Sequence, residues 1–201
     1  MPILASGITI NSESYHMKLS IISYFALPHN LYKAVSELME AELLSEEVEL
    51  DAMYFSINLK GIKPHNIPRL SKKRGNRSVY RGISHHKIFL TSAVDSNNNI
   101  IMRVTGLESK SFDKYKQNKR FFGDVKKVIS DSKSNIKQFA NHIKADYDNI
   151  SASLIKKNYL TEDRSSLGTI NEMMSEVRKM ITVTKRFETR YLQGYLDFML
   201  M

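Results

Sequence analysis

One stretch constrains this chain more than any other. In EVELDAMYF, residues 47–55, Val48, Leu50, Ala52 and Tyr54 alternate with Glu49, Asp51 and Met53, which is the period of a β-strand. Asp51 sits inside that strand, between Leu50 and Ala52. A carboxylate there is costly to bury unless it is paired or binds a cation. It can also sit harmlessly on a solvent-facing strand surface beside Glu49.

The elements around this strand predict a mixed sheet. Upstream, LYKAVSELMEAELL (31–44) spaces Leu31, Val35, Leu38, Met39 and Leu43 as one helical face, and residues 1–30 are weakly patterned. Downstream, residues 56–84 hold Pro64, Pro68 and the run SKKRGNRSVYRG, an exposed cationic loop. HHKIFLTSAVD and NIIMRVTGL read as strands joined by a turn at Asp95-Ser-Asn-Asn-Asn99, hence a hairpin. A helix over 109–122, a short strand at VKKVISD (125–131) and a helix at SNIKQFANHI follow, the last with Ile136, Phe139, Ala140 and Ile143 on one face. A small strand is placed near 147–155. TINEMMSEVRKMI is a helix by the spacing of Ile170, Met173, Met174, Val177 and Ile181, and YLQGYLDFMLM is a last helix. A hairpin plus a later parallel strand, layered by helices, gives an α/β fold with an RNase H-like mixed sheet flanked by helices.

Composition narrows the chemistry. There is no cysteine among the 201 residues, which excludes disulfides, thiol catalysis and thiolate zinc sites. The six histidines fall in no zinc-binding spacing. His85-His86 reads as a surface pair, and Asp95-x-Asn97-x-Asn99 lacks the glycine and glutamate of a calcium loop. Apolar runs are too short for a membrane span and no signal peptide is evident, so a cytoplasmic location is expected. The net charge of +9 suits a polyanionic partner. Arg69, Lys72, Lys73, Arg74, Arg77 and Arg81 form one basic cluster, and Lys110, Lys114, Lys116, Lys119 and Arg120 another. Either alone is as consistent with ordinary solvated charge.

Asp131 ends the second strand just before a helix, which is where open α/β sheets place their sites. If strands 47–55 and 125–131 are neighbours, Asp51 and Asp131 converge on a position suited to magnesium, which takes hard oxygen ligands. The competing role for Asp131 is an ordinary helix N-cap.

Several ordered blocks resemble bacterial insertion-sequence transposases of the DDE type, in the ISXO-two-like group. ELDAMYFSINLKGIKP resembles the first-aspartate block, KKRGNRSVYRGISHH the basic loop, and KKVISDSKSNIKQFA the second-aspartate block. TINEMMSEVRKMI resembles the third block and TRYLQGYLDFML the C-terminal helix, so the resemblance spans about residues 31–201. It implies an RNase H-like catalytic domain over 46–201, preceded by a helical remnant of a DNA-binding region over 1–45. It also implies Asp51, Asp131 and Asn171 as catalytic metal ligands for a two-metal Mg2+ or Mn2+ site, with Glu172 and Glu176 as rivals for the third place. Lys72, Lys73, Arg74, Arg77, Arg81 and Arg178 are the implied DNA contacts. The partners implied are transposon ends and target DNA, with a homodimer in the DNA complex and no membrane. Three features depart from the family: Ala52 stands where Glu is usual, Met174 where His or Trp is frequent, and no zinc ribbon or helix-turn-helix precedes residue 31. They motivate a second expectation, an inactive remnant that binds DNA non-specifically.

Overall fold

The computed structural model describes residues 14–39, 43–57, 87–107, 112–131, 134–150, 167–183 and 188–200. Its elements in chain order are α1 (Ile21–Met39), β1 (Leu44–Ser56), β2 (Lys87–Asp95), β3 (Ile100–Leu107), α2 (Phe112–Lys116), β4 (Phe122–Ser130), α3 (Ser134–Ile143), β5 (Asp146–Asn149), α4 (Gly168–Val183) and α5 (Leu192–Met199). The strands form one sheet in the order β3-β2-β1-β4-β5. β1 to β3 run as an antiparallel meander, and β4 and β5 lie parallel to β1. This is the mixed α/β, RNase H-like architecture that the sequence pattern predicts, and strands 47–55 and 125–131 are direct neighbours.

The sheet is covered on both faces. Leu44, Val48 and Leu50 of β1 join Phe89, Val128, Tyr115, Ile136 and Phe139 in one cluster, roofed by α2 and α3. Met53 of β1 joins Leu90, Met102 and Ile129 with Ile170, Met174 and Val177 of α4 and Leu192 and Leu196 of α5. Successive strand residues point to opposite faces, so β1 feeds two cores. The expected helix faces are observed. Ile136, Phe139 and Ala140 of α3 are buried and Ile143 packs against them, while Ile170, Met174 and Val177 of α4 are buried beside Met173 and Ile181.

The β2–β3 turn falls where expected, and the reason is Asp95. Its Oδ1 accepts from the amides of Asn97 and Asn99 at 2.9 and 2.8 Å, and its Oδ2 accepts from Ser45 N at 3.2 Å. Asn98 adopts φ 64, a conformation asparagine tolerates. Glu46, at φ 57, lies where the β1–β4 register shifts, the mark of a bulge.

Three expected elements are corrected. The helix placed at 31–44 instead occupies Ile21–Met39. Pro28 inside it masks the first half, because proline removes a helix donor. Leu44 opens β1 as a fully buried residue, whereas Leu31 and Leu43 are exposed, so the last residue of the segment read as helix belongs to the strand and two of the five residues of its apolar stripe face out. The helix placed at 109–122 shrinks to Phe112–Lys116 plus a 3-10 turn at Lys119–Phe121, after which β4 begins. The strand near 147–155 is Asp146–Asn149. The cationic loop at 69–81 and His85-His86 lie outside the described residues. Among the described residues, no helix is long and apolar enough to cross a membrane.

α1 docks on α5 through aromatic rings. Tyr32 lies 4.8 Å from Tyr195 and 5.3 Å from Phe198, and His29 stacks on Tyr191 at 4.1 Å between ring centres. Gly194 permits this approach: a Cβ there would stand 2.8 Å from Tyr32 Cβ. Gly194→Ala should therefore destabilise the fold by about 1–3 kcal/mol, the usual range for overpacking. A urea midpoint equal to wild type would show that α1 and α5 are not in contact.

His29 gives the same contact a pH dependence. Burial, and then the charge of Arg190, hold its imidazole below the ordinary range. The unfolded chain thus takes up a proton near pH 6.5 that the folded chain resists. The His29 contribution is complete above that pH and is lost as pH falls below it. Between pH 7.5 and 5.5 the wild-type melting temperature should fall further than that of His29→Phe, in which the stack no longer titrates. Equal falls would remove His29 as a cause.

Candidate active site

The parallel pairing of β1 and β4 runs through Val48↔Val128 to Glu49↔Ile129. Two residues further along each chain stand Asp51 and Asp131, so the register, carried on, brings the two residues level on neighbouring strands, whose backbones run about 4.8 Å apart. β1 continues past this point with β2 still beside it, Asp51 pairing with Ser92, whereas β4 ends at Ser130. Asp131 therefore stands just past the carboxyl end of β4, beside the continuing strand β1 that carries Asp51.

Both carboxylates are half-buried. Asp51 Oδ1 accepts from the amide of Ala52 at 2.6 Å. Asp131 stands three residues ahead of Ser134, where α3 starts. The two act together on one neighbour. The hydroxyl of Tyr115, almost fully buried, is pushed well above the ordinary tyrosine range by burial first, then by Tyr54, Asp51, Asp131 and Tyr147. Tyr54 is itself pushed up to about 12 by burial and then by Asp51. Both hydroxyls thus stay protonated at neutral pH.

Asp51 shares its strand face with Glu49 and Met53, the face that α4 covers. Glu49 does not meet solvent there as the strand pattern allowed. Its Oε2 accepts from the amide of Ile170 at 3.0 Å, at the first turn of α4. Burial raises its pKa, and the Ile170 hydrogen bond offsets part of that rise. A carboxylate at this end of a helix satisfies an amide that has no partner within the helix. Glu49 ties β1 to α4, a long-range role that its alternating position in the strand could not reveal. Tyr115 was equally hidden, since it reads as one more apolar helix residue.

On α4, the residues facing the sheet are Ile170, Met174 and Val177. Asn171 and Arg178 are exposed and Ser175 is half-buried. At about 100° per residue, Asn171 and Arg178 share one flank of the packed stripe. Glu172 points outward and is exposed, and Glu176 lies on the other flank in an ion pair with Lys179. Met174, where the resembling family often carries His or Trp, is core. Ala52 packs with Tyr54 on the opposite cluster. The basic residues Lys72, Lys73, Arg74, Arg77 and Arg81 lie outside the described residues. Among the described residues, no group of three or more His, Cys, Asp or Glu side chains is placed to hold a metal ion.

No protein-family model matches this chain, and no curated protein matches it in sequence. Among solved structures, it is similar to the HTLV-2 integrase catalytic core domain in complex with magnesium, in its dimeric form. The TM-score is 0.41 and the identity 7%, over 78% of this chain and 84% of that one. It is also similar to a chain of a pre-cleavage Mos1 transpososome, with TM-score 0.31 and 12% identity over 99% of this chain and 75% of the other.

The Glu49 tether makes a direct prediction. Glu49→Ala should cost about 1 kcal/mol, the usual loss on removing a side-chain acceptor at a helix start. Glu49→Gln keeps a neutral acceptor without the burial of a charge and should unfold at or above the wild-type urea midpoint. Equal destabilisation by both would mean that the hydrogen bond to Ile170 is not what holds α4.

Proposed function

We propose that this chain carries the catalytic domain of an insertion-sequence DNA transposase that cuts and joins phosphodiesters with divalent metal. The observation that supports this reading most is the pair Asp51 and Asp131, brought level by the register of adjacent parallel strands in a sheet ordered β3-β2-β1-β4-β5. Magnesium is commonly held by one or two protein carboxylates, with substrate phosphates and water completing the shell. Two half-buried carboxylates with a buried Asp131 Oδ1 fit that donor set. Since the described residues hold no acidic triad, the third protein ligand in this reading is the amide oxygen of Asn171, with Glu172 and Glu176 less suited by their helix faces.

Bound there, a pair of divalent ions would lower the pKa of the attacking water and neutralise charge on the leaving oxygen. The residues supply position. Asp51 and Asp131 would hold the ions, which would supply charge neutralisation at the scissile phosphate. Arg178, exposed on the flank it shares with Asn171, contacts a neighbouring phosphate. Lys72, Lys73, Arg74, Arg77 and Arg81 grip the DNA backbone, which positions DNA without reading its sequence. A homodimer on DNA and a cytoplasmic setting belong to the same proposal.

The second reading is a remnant that binds DNA but does not cut it. Two features favour it: among the described residues no acidic triad forms, and Met174 is core where His or Trp is frequent in the resembling family.

Manganese binding followed by electron spin resonance separates the two, alongside cleavage of a labelled terminal-repeat duplex. Asp51→Asn and Asp131→Asn should each weaken manganese binding by more than roughly 100-fold, beyond the loss usual for an outer-shell change, and should leave DNA binding in chelator unchanged. Wild-type protein that binds DNA but neither manganese nor cuts would establish the remnant. Variants that bind manganese as wild type does would overturn the assignment of the site.

A further inference from the structure

The row of side chains that crosses the sheet at Asp51 does not end with the aspartates. On β2, Ser92 is the direct antiparallel partner of Asp51, and on β3 Met102 is the partner of Ser92. Directly opposed residues project from the same face of a sheet, with their Cβ atoms about 4.5–5.5 Å apart. Met102, Ser92 and Asp51 thus stand side by side on the face that α4 covers, and the β1–β4 register, carried on, continues the row to Asp131. Asp51 has a serine on one flank and an aspartate on the other.

Ser92 is fully buried, and its Oγ has no hydrogen-bond partner among the described residues. A buried hydroxyl left that way is unfavourable, and an apolar group of the same shape would avoid the penalty. Of its two row neighbours, Met102 offers only a weak thioether acceptor, whereas a carboxylate is a strong one. The other carboxylate on this face, Glu49, lies diagonally, opposite Val94, and its Oε2 is engaged by the amide of Ile170. The hydroxyls of Thr91 and Tyr54 are also buried without a partner among the described residues, but these residues project to the opposite face. One bond from Cβ to a serine oxygen and two to a carboxylate oxygen suffice to close a Cβ gap of about 5 Å once a side chain turns about χ1.

We propose that Ser92 is a positioning residue for Asp51: its hydroxyl donates to the Asp51 carboxylate in the metal-bound protein and fixes that carboxylate from the flank opposite Asp131. This rests on the reading of Asp51 and Asp131 as a metal site. Carboxylates that hold a metal are themselves held by outer hydrogen-bond partners, and a hydroxyl kept in an otherwise apolar stretch of β2 is accounted for by that role.

Manganese binding followed by electron spin resonance and urea unfolding in chelator, both on the full chain, test the assignment. Ser92→Ala should weaken manganese binding about 10- to 100-fold, the range usual for loss of an outer partner of a metal ligand. In chelator the same variant should unfold at or above the wild-type midpoint, because it removes a buried hydroxyl that the metal-free fold leaves without a partner. A merely structural serine would move the midpoint and not the affinity. Ser92→Thr keeps the hydroxyl and should bind manganese nearly as wild type does; Ser92→Ala carries the result if the added methyl overpacks the core. Ser92→Ala with wild-type affinity, beside Asp51→Asn with affinity lost, would overturn the role of Ser92 and leave the metal site standing. A Ser92→Ala midpoint well below wild type in chelator would also overturn it, since the hydroxyl would then serve the fold. Wild-type protein that binds no manganese would overturn the site and, with it, the role of Ser92.

Discussion

The structure depends on one strand being buried on both faces. β1 is paired with β2 on one side and β4 on the other, and it sends Val48 and Leu50 into one core and Met53 into the other. A one-residue slip of such a strand would exchange its two faces. It would drive Glu49 and Asp51 into the cluster around Phe89 and Tyr115, and strand Leu50 against α4. Both cores thus reject a one-residue slip. The same constraint brings Asp51 level with Asp131, so the site is a consequence of packing that serves stability first.

The outer strand raises the opposite problem. β3 is an edge, and an unprotected edge exposes backbone groups to pairing with other chains. α5 covers it with one side chain: Gln193 Oε1 accepts from Val104 N at 2.8 Å and its Nε2 donates to the Met102 carbonyl at 2.9 Å. The nearby ion pair of Arg103 and Asp197 is almost wholly buried. Such pairs are weak stabilisers, because desolvation consumes most of the attraction.

How much of this was legible beforehand follows from the range of each interaction. Periodicity is local, so the hairpin, α3 and α4 were readable, and the bounds of α3 at Ser134–Ile143 match the apolar spacing. The alternation around Asp51 located β1, and the step from VKKVISD to a helix located β4 and Asp131. What failed was punctuation: Pro28 hid the start of α1, and the apolar pair Leu43–Leu44 was shared between a helix stripe and a strand that only tertiary burial could separate. What no local pattern could show were contacts across long sequence distance. Glu49 meets Ile170, Arg103 meets Asp197, and Tyr115 lies under the charge of both aspartates. Each is an ordinary residue in its own segment and acquires its role only when the sheet is assembled.

The polar residues of β1 also show where stability has been given up. Glu49 is half-buried with its pKa raised by desolvation, and Asp51 lies two residues away on the same face. A carboxylate on the covered face of a central strand loses hydration, and apolar residues there would serve the core better. The backbone amides of Ile170 and Ala52 compensate in part. Glu49 has a structural reason to remain, since its carboxylate receives the Ile170 amide at the start of α4. Asp51 lies on the same strand face and, by the β1–β4 register, level with Asp131, and that juxtaposition is the physical reason to seek a cation there.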